Sequence, residues 1–253
     1  MLKEIIATAR KAGDAILEFY REEVEVMTKE DDSPLTKADL AAHHIIVDTL
    51  KKLDPQTPVI SEESGIPDYE QRKEWTQFWI VDPLDGTKEF IKKNGEFTVN
   101  IALVDEGEPV LGVVYVPDKD ITYYATKEGG SYKQTGNDEP ERIFSNDSSK
   151  DQPLTVVQSR SHGSDKLVEE LQAKGLKVEK TIPAGSSIKF CLVAEGVADI
   201  YPRMGPTMEW DVAAGDCVYR YSARKGQHTS PLRYNKPDLK NEGFLIGLVT
   251  EDR

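Results

Sequence analysis

The sequence predicts a layered α/β fold, α+β in residues 1–150 and α/β in residues 151–253, and three observations support this prediction. An amphipathic helix opens the chain, apolar residues then alternate with a period of two from Phe97 to about Lys133, and strand-like and helix-like segments alternate beyond residue 152. A period of two is typical of antiparallel strands. Alternating strands and helices predict a mostly parallel sheet covered by helices. We expect the two halves to pack tightly as one unit.

Composition narrows the function classes. The 253 residues are 38% hydrophobic and 30% charged, which is typical of a soluble globular protein, and no apolar run approaches the ~20 residues of a membrane span. The amino terminus leads directly into a helix, so no secretory signal is predicted. Cys191 and Cys217 form no metal-binding or redox pair, which favours a reduced, cytosolic protein. The net charge of −13 argues against binding to a nucleic-acid polymer.

The first half contains two helices and then strands. Residues 2–20 place apolar side chains on one helical stripe. Thr36 and Asp39 have the spacing of a capping box and so predict the start of a second helix. Residues 58–61 and 78–81 are short apolar segments that predict strands leading into Glu62 and Asp82.

Later elements follow from periodicity. Three antiparallel strands are predicted at 98–104, 110–116 and 121–125, and a polar, turn-rich segment over residues 136–152 separates the halves. The second half predicts strands and helices in alternation: strand 154–159, helix 164–173, strand 176–182, helix 186–195, strand 198–202, helix 210–221 and strand 244–249.

The segment from Asp82 to Thr87 (DPLDGT) is the strongest candidate for a functional site. A predicted strand runs into Asp82, and a predicted helix begins at Thr87, so N–H groups at Gly86 and Thr87 face the same spot as the carboxylates of Asp82 and Asp85. Pro, Asp and Gly are also ordinary turn formers, so the segment alone is equally compatible with a plain turn. Because magnesium prefers carboxylate and phosphate oxygens, the segment is suited to a magnesium-dependent phosphatase.

Two further carboxylates lie in similar positions. Glu62 follows a predicted strand within Ser-Glu-Glu-Ser, and Asp211 lies in the first turn of a predicted helix. Each has an ordinary interpretation, a solvated acidic pair in one case and an acidic residue favoured by the helix dipole in the other. Their coincidence with Asp82 and Asp85 in one chain favours a shared site.

Six segments together resemble the inositol-monophosphatase superfamily of lithium-sensitive, magnesium-dependent phosphatases, and in finer detail the 3'(2'),5'-bisphosphate nucleotidases of the bacterial CysQ type. They are Lys29–Thr36 (KEDDSPLT), Asp82–Ile91 (DPLDGTKEFI), Asn94–Asn100 (NGEFTVN), Ser159–His162 (SRSH), Gly185–Cys191 (GSSIKFC) and Tyr201–Arg203 (YPR). The resemblance runs nearly end to end. Leu35 stands where we expect Val, and the last thirty residues match no motif.

The resemblance implies a role for each matching residue. Two or three Mg²⁺ ions are expected to be held by Glu62, Asp82, Asp85, Asp211 and the backbone carbonyl of Leu84. Asp31 and Thr87 are expected to orient and activate the attacking water. Contacts to the substrate are expected from Glu62, Leu84, Asp85, Gly86, Thr87 and Asp211, and contacts to the nucleotide or its second phosphate from His162, Ser186, Lys189 and Arg203.

The resemblance also implies a fold and a reaction. The fold is a layered αβαβα sandwich with metals at the junction of the halves. The reaction is removal of the 3'-phosphate from adenosine 3',5'-bisphosphate, giving AMP and phosphate in sulfur metabolism. Lys189 and Arg203 favour this small nucleotide substrate over the alternatives, an inositol monophosphatase or another sugar-phosphate phosphatase. A non-catalytic nucleotide- or metal-binding protein is a third alternative, against which Asp31 and Thr87 argue.

The expected location is cytoplasmic, with a peripheral position at the inner face of the cytoplasmic membrane as the alternative. No oligomeric state is predicted.

Overall fold

The computed structural model describes residues 1–21, 26–28, 34–160 and 165–248. Two long helices, α1 (Leu2–Tyr20) and α2 (Lys37–Leu53), flank a short antiparallel pair, β1 (Val26–Thr28) and β2 (Pro34–Thr36). The predicted capping box starts α2. The Thr36 hydroxyl accepts a hydrogen bond from the Ala38 N–H at 3.2 Å, and the Asp39 carboxylate accepts one from the Thr36 N–H at 2.8 Å.

A seven-stranded sheet lies at the centre of the molecule. Its strands are β3 (Val59–Ser61), β4 (Gln77–Asp85), β5 (Thr98–Asp105), β6 (Glu108–Val116), β7 (Ile121–Thr126), β8 (Gly130–Thr135) and β9 (Glu141–Arg142), in that spatial order. β3 and β4 are parallel and the other neighbours antiparallel. Short helices α3 (Tyr69–Arg72) and α4 (Thr87–Ile91) flank β4, and a 3-10 turn at Pro117–Lys119 follows β6.

The second half contains smaller strand pairs. Its elements are β10 (Pro153–Ser159), α5 (Asp165–Ala173), β11 (Lys177–Ala184), α6 (Ile188–Ala194), β12 (Tyr201–Arg203), β13 (Thr207–Met208), α7 (Glu209–Arg220), β14 (Lys240–Asn241) and β15 (Phe244–Ile246). β10 and β11 are parallel, and a parallel bridge joins Val156 to Ile200. β12 pairs with β15 and β13 with β14, both antiparallel.

This half is therefore mixed, where the sequence predicts a mostly parallel sheet. The reason lies in the chain after α7. The helix carries the chain away from β13, and residues 221–239 bring it back, so that the Glu209 N–H at the start of α7 donates to the Leu239 carbonyl. β15 then meets β12 from the opposite direction. A parallel partner needs a crossover that ends where the previous strand began.

The layers are those expected. α1 and α2 cover one face of the large sheet, α6 and α7 cover the other, the β10–β12 strands pack beyond α6, and α5 lies outermost against β11. The αβαβα sandwich is thus confirmed. α7 approaches the sheet closely because Gly112 has no side chain; a Cβ there would lie 2.6 Å from the Cys217 Cβ.

Within the described residues, no helix combines the length and apolar character that crossing a bilayer requires.

Candidate active site

A bulge in β4 positions the central carboxylates. The strand was predicted to end at Val81 but extends to Asp85, and Asp82 pairs with Asn100 while Asp85 pairs with Thr98. Three residue steps on β4 therefore oppose two on β5, which leaves one residue extra and bends the strand. The Leu84 N–H turns inward and donates to the Asp82 carboxylate at 3.1 Å. Both Asp82 and Asp85 consequently line one cavity.

Three carboxylates from three elements meet at this bulge. Oxygens of Glu62, at the end of β3, Asp82, on β4, and Asp211, in the first turn of α7, all lie within 4.8 Å of one another. β3 and β4 are parallel neighbours, and the Glu62 N–H donates to the Val81 carbonyl at 3.1 Å, which places Glu62 beside Asp82. An oxygen-only set with this spacing is suited to a hard cation such as Mg²⁺.

Burial and the charges of neighbouring carboxylates raise the pKa of Asp82 and Asp211. Burial is the largest cause for Asp82, followed by the negative charges of Glu62, Asp85 and Asp211, and its pKa lies well above the ordinary range. Burial and then the Asp85 charge raise the pKa of Asp211 to about 8. Carboxyl groups held so close cannot all ionise without positive charge nearby. The cluster therefore fits the divalent cations that the sequence predicts.

Asp85 faces a different environment from its neighbours. Burial raises its pKa, while the Lys189 ammonium and hydrogen bonds from Asn100 and Ser187 act in the opposite direction. The Asn100 amide donates to Asp85 at 3.3 Å. Burial lowers the pKa of Lys189 to about 8, an effect that the Asp85 charge opposes. Asp85 thus lies between the acidic cluster and a buried cation.

Thr87 has a partner that sequence reasoning did not assign. Its hydroxyl donates to the Asp39 carboxylate at 3.3 Å, with a longer contact of 3.4 Å to the Leu84 carbonyl. The other Asp39 oxygen accepts from the N–H and hydroxyl of Thr36 at 2.8 and 2.5 Å. Asp31, the expected partner of Thr87, lies outside the described residues, and its role stays a prediction. Among the described residues, Asp39 is the carboxylate that contacts Thr87.

The sequence placed Asp39 at the start of a predicted helix, but the capping box explained this position without a role in the site. A capping box accounts for its position without any function. In the structure it is one of three site carboxylates that accept a backbone N–H with one oxygen, the others being Asp82 from Leu84 and Asp211 from Met208 at 2.8 Å. Each such bond fixes the direction of the carboxylate, so one group both caps local structure and serves the site.

Two adjoining cavities share the loop between β4 and α4. The first, of about 300 Å³, is lined by Glu62, Asp82, Leu84, Asp85, Gly86, Thr87, Lys88, Glu89 and Asp211. The second, of about 160 Å³, includes Ser186, Lys189, Tyr201 and Arg203. Lys88 is exposed and lines both, although the sequence analysis gave it no role. A substrate with two anionic groups could therefore occupy both cavities and pass Lys88.

The second cavity is lined by Lys189 and Arg203, the two cations that the family resemblance assigns to substrate binding. The Lys189 ammonium donates to the Ser186 carbonyl at 2.5 Å, and the Arg203 guanidinium donates to the carbonyls of Gly205 and Pro206 at 3.2 and 3.1 Å. Ser186 adopts a left-handed backbone (φ +40°), and its hydroxyl lies 3.1 Å from that of Thr98. His162 falls outside the described residues.

Contacts between the halves hold the two cavities together. Gly86 has φ +92°, and a Cβ there would lie 3.3 Å from the Ser186 Cβ, so the two loops approach closely. Glu96 forms a two-point ion pair with Arg160 at 2.6 Å and also accepts from the Gly185 N–H at 2.8 Å. These contacts join the loop after α4 to the loop that carries Ser186.

Known proteins are similar to this chain in sequence. The model of the inositol monophosphatase family matches residues 1–221. The 3'(2'),5'-bisphosphate nucleotidase CysQ of Escherichia coli is 47% identical over 256 residues, covering 98% of this chain and 100% of that protein. The protein of the same name from Salmonella typhimurium is 51% identical over 220 residues, covering 86% of each chain.

Solved structures agree in fold. The crystal structure of CysQ from Bacteroides thetaiotaomicron, described as a bacterial member of the inositol monophosphatase family, has a TM-score of 0.81 at 44% identity and covers 99% of this chain and 97% of that one. An inositol monophosphatase of Thermotoga maritima has a TM-score of 0.70 at 25% identity, covering 86% of this chain and 81% of that one.

Proposed function

The chain belongs to the inositol monophosphatase family, and from this premise we propose that it removes the 3'-phosphate of adenosine 3',5'-bisphosphate, giving AMP and phosphate. One observation carries the proposal: a cavity lined by a cluster of buried and half-buried carboxylates adjoins a cavity that contains Lys189 and Arg203. The first suits the phosphate that is cleaved and the second suits a further phosphate. The Escherichia coli and Salmonella typhimurium relatives are named for this nucleotidase activity.

Mg²⁺ fits the first cavity. Glu62, Asp82 and Asp211 supply oxygens within 4.8 Å of one another, and we propose that Asp85 and the Leu84 carbonyl complete the set for two or three ions. The metal, when bound, supplies positive charge that neutralises phosphate oxygens and favours loss of a proton from the attacking water. The high pKa of Asp82 and Asp211 means that binding releases protons from this cluster.

Thr87 and Asp39 are proposed to handle the proton of that water. The Thr87 hydroxyl donates to Asp39, which leaves lone pairs of its oxygen to accept a hydrogen bond from water. As the water oxygen bonds to phosphorus and the bond from phosphorus to the 3'-oxygen breaks, the water proton passes toward Thr87 and the Thr87 proton toward Asp39. The departing 3'-oxygen takes up a proton from solvent and becomes the 3'-hydroxyl of AMP. The fixed bond from Thr36 to Asp39 keeps this carboxylate in line. No protein nucleophile is needed, since phosphoryl transfer depends mainly on positioning and charge neutralisation.

Lys189, Arg203 and Ser186 are proposed to bind the phosphate that is retained. Lys189 and Arg203 supply the positive charge that a chain of net charge −13 otherwise lacks. Local cations in a shielded cavity outweigh the long-range field of the whole protein, which salt screens. A cytoplasmic location accompanies the proposal, because the substrate is a by-product of intracellular sulfate transfer and both cysteines are free and buried.

The test is magnesium-dependent phosphate release from four substrates: adenosine 3',5'-bisphosphate, inositol 1-phosphate, fructose 1,6-bisphosphate and AMP. We expect a preference in kcat/KM for the first of about a hundredfold, equal to about 2.7 kcal/mol in transition-state binding. Equal rates on the sugar phosphates would refute the substrate but keep the reaction. Absence of release from all four would refute the phosphatase.

A further inference from the structure

Residues 235–241, which we call the strap, connect the first half of the protein to the start of α7. The strap lies in the part of the sequence that matched no motif. β14 within it pairs with β13, aligning Thr207 with Asn241 and Met208 with Lys240. The Leu239 carbonyl accepts from the Glu209 N–H at 2.8 Å. The strap thereby contacts the three residues that precede Trp210 and Asp211.

Glu209 is the anionic side of this connection. Its side chain is fully buried in the first turn of α7. One carboxylate oxygen accepts from the Asn235 N–H at 2.7 Å, and the other accepts from the Lys236 N–H at 2.9 Å and forms an ion pair with the Lys236 ammonium at 2.8 Å. A buried carboxylate with two N–H donors and a cationic partner is held in one orientation, because losing a partner leaves charge without compensation.

Arg72 is the cationic side. It is 1% exposed and belongs to α3, in the first half of the chain. Its guanidinium donates to the Asn235 side-chain carbonyl at 2.9 Å and to the backbone carbonyls of Lys236 and Pro237, both at 2.7 Å. The Asn235 amide in turn donates to the Arg72 carbonyl at 2.6 Å. A planar guanidinium with several fixed donors selects one position of the strap, which a single ammonium does not.

Asn235 and Lys236 are therefore bonded to both charges. On one side their carbonyl oxygens contact Arg72, and on the other their N–H groups contact Glu209. Asn235 has φ +68°, a left-handed conformation that asparagine tolerates better than most residues. Two residues thus hold a buried cation and a buried anion at a fixed separation.

From this arrangement we infer that Arg72 and Glu209 are positioning residues for Asp211. Glu209 lies two residues before Asp211, and the Asp211 carboxylate accepts from the N–H of Met208, which β14 holds in place. The strap therefore fixes where Asp211 lies relative to Glu62 and Asp82, and so sets the affinity of the site for Mg²⁺. The inference rests on the proposed function insofar as it takes this cluster to bind that ion.

The test compares R72K and E209Q with wild type by calorimetric titration of Mg²⁺ into metal-free protein. R72K keeps the charge but loses the fork, and E209Q keeps the size but loses the anion. Since partners behind metal ligands typically contribute 10–100-fold to metal affinity, we expect the Kd for Mg²⁺ to rise about tenfold or more in each. In turnover assays, the Mg²⁺ concentration for half-maximal rate should rise, while KM for the nucleotide at saturating Mg²⁺ stays unchanged.

R220M is the matched control. Arg220 is also buried, lies at the opposite end of α7, and donates to Asp216, Glu108 and the Leu232 carbonyl. Its loss should lower the melting temperature at least as much as R72K does, yet leave the Kd for Mg²⁺ unchanged. An equal rise in Kd for R220M would reduce the effect of Arg72 to general destabilisation and overturn the inference.

A metal-free measurement separates this inference from the proposed function. In protein labelled with 5-fluorotryptophan, the ¹⁹F resonance of Trp210, assigned from W210F, reports on the turn between Glu209 and Asp211. We expect it to move or broaden in R72K and E209Q but not in R220M, without any Mg²⁺ present. If it stays in place in both strap variants, the strap does not position Asp211, whatever reaction the protein catalyses.

Discussion

Asp216 and Asp211 lie toward opposite ends of α7 and have different surroundings: Asp216 pairs with a cation of the protein, and Asp211 faces other carboxylates. At the carboxyl-terminal end, Asp216 pairs with Arg220 at 2.8 Å and accepts from the Tyr234 hydroxyl at 2.8 Å. At the amino-terminal end, Asp211 faces the carboxylates of Glu62 and Asp82. Asp216 therefore has its counter-ion in the folded chain, although its Oδ1 atom is buried without a hydrogen-bond partner among the described residues. At the other end, burial and then the charges of neighbouring carboxylates raise the pKa of Asp82 and Asp211.

This difference shows how a structural charge group can be distinguished from a binding site on one helix. A buried acid that serves stability has its countercharge supplied by the chain, because leaving it unpaired costs several kcal/mol. An acid in a proposed binding site lacks that countercharge until its ligand binds. The helix α7 contains one acid of each kind, Asp216 and Asp211.

The largest expected effect comes from changing Asp85, which lies on β4 beside the carboxylates at the amino-terminal end of α7. D85N should lower kcat/KM by roughly three orders of magnitude, about 4 kcal/mol, because it removes a proposed metal ligand beside Lys189. The melting temperature of the metal-free protein should stay the same or rise, since a buried carboxylate with a raised pKa is replaced by a neutral group. Steady-state kinetics and calorimetry measure the two effects. Turnover within tenfold of wild type would remove Asp85 from the site.

Substitution of Asp216, toward the carboxyl-terminal end of α7, should lower stability and leave metal binding unchanged. D216N removes the nearer of the two carboxylates that pair with the buried Arg220 guanidinium and leaves Glu108 at 3.2 Å, and we expect a loss of about 3 kcal/mol in the free energy of unfolding. Urea denaturation measures this loss. At temperatures where the variant stays folded, its Mg²⁺ affinity should equal that of wild type; a shift in affinity would show that the two ends are coupled.

Magnesium should stabilise the folded protein by binding to the carboxylates at the amino-terminal end of α7. At a hundred times its Kd, Mg²⁺ should raise the free energy of unfolding by about 2.7 kcal/mol. D211N should lose most of this gain, and D216N should keep it. Thermal denaturation with and without chelator measures both.

The pH dependence of stability follows from the pKa of Asp211, which burial and then neighbouring negative charge raise. The pKa of Asp211 is about 8 in the folded, metal-free protein, against about 4 for an ordinary Asp. Between these values the folded state holds a proton that the unfolded chain has lost, so stability falls as pH rises through this window. The metal-free protein should therefore melt at a higher temperature near pH 6 than near pH 8. Saturating Mg²⁺ should shrink this difference, and a larger difference with Mg²⁺ would contradict the assignment.

The smallest expected effect concerns the exposed cation at the junction of the two cavities. K88Q should lower kcat/KM for the bisphosphate about tenfold, or about 1.4 kcal/mol, while changing it little for a monophosphate. Lys92, which is exposed and directly follows the same short helix, provides the control variant K92Q. If both variants alter the two substrates alike, Lys88 contributes only to the general surface charge.

Sequence reasoning located the features that depend on neighbours along the chain. α1, the capping box at Thr36 and the strand leading into Asp82 were predicted because period and capping are local properties. The meeting of Glu62, Asp82 and Asp211 was anticipated from the coincidence of such carboxylates in one chain and from the resemblance to a family. Spacing alone gave each of these residues an ordinary explanation.

Features that depend on distant contacts were missed. The sheet continues into β8 and β9 beyond the three antiparallel strands predicted, and β4 extends through a bulge that no local pattern signals. Asp39 was assigned to capping because capping explained it fully. The strap was missed because its partners, Arg72 and Glu209, are separated from it by up to 165 residues along the chain.

The position of α7 in the sequence has a consequence for synthesis. This helix covers β4, β5, β6 and β7, yet it is followed by only about thirty residues of chain. While the ribosome makes the first 200 residues, the large sheet is complete and one of its apolar faces is uncovered. Contacts this distant form slowly, and exposed sheet surface invites aggregation. We therefore expect the uncovered face to be prone to aggregation until α7 emerges.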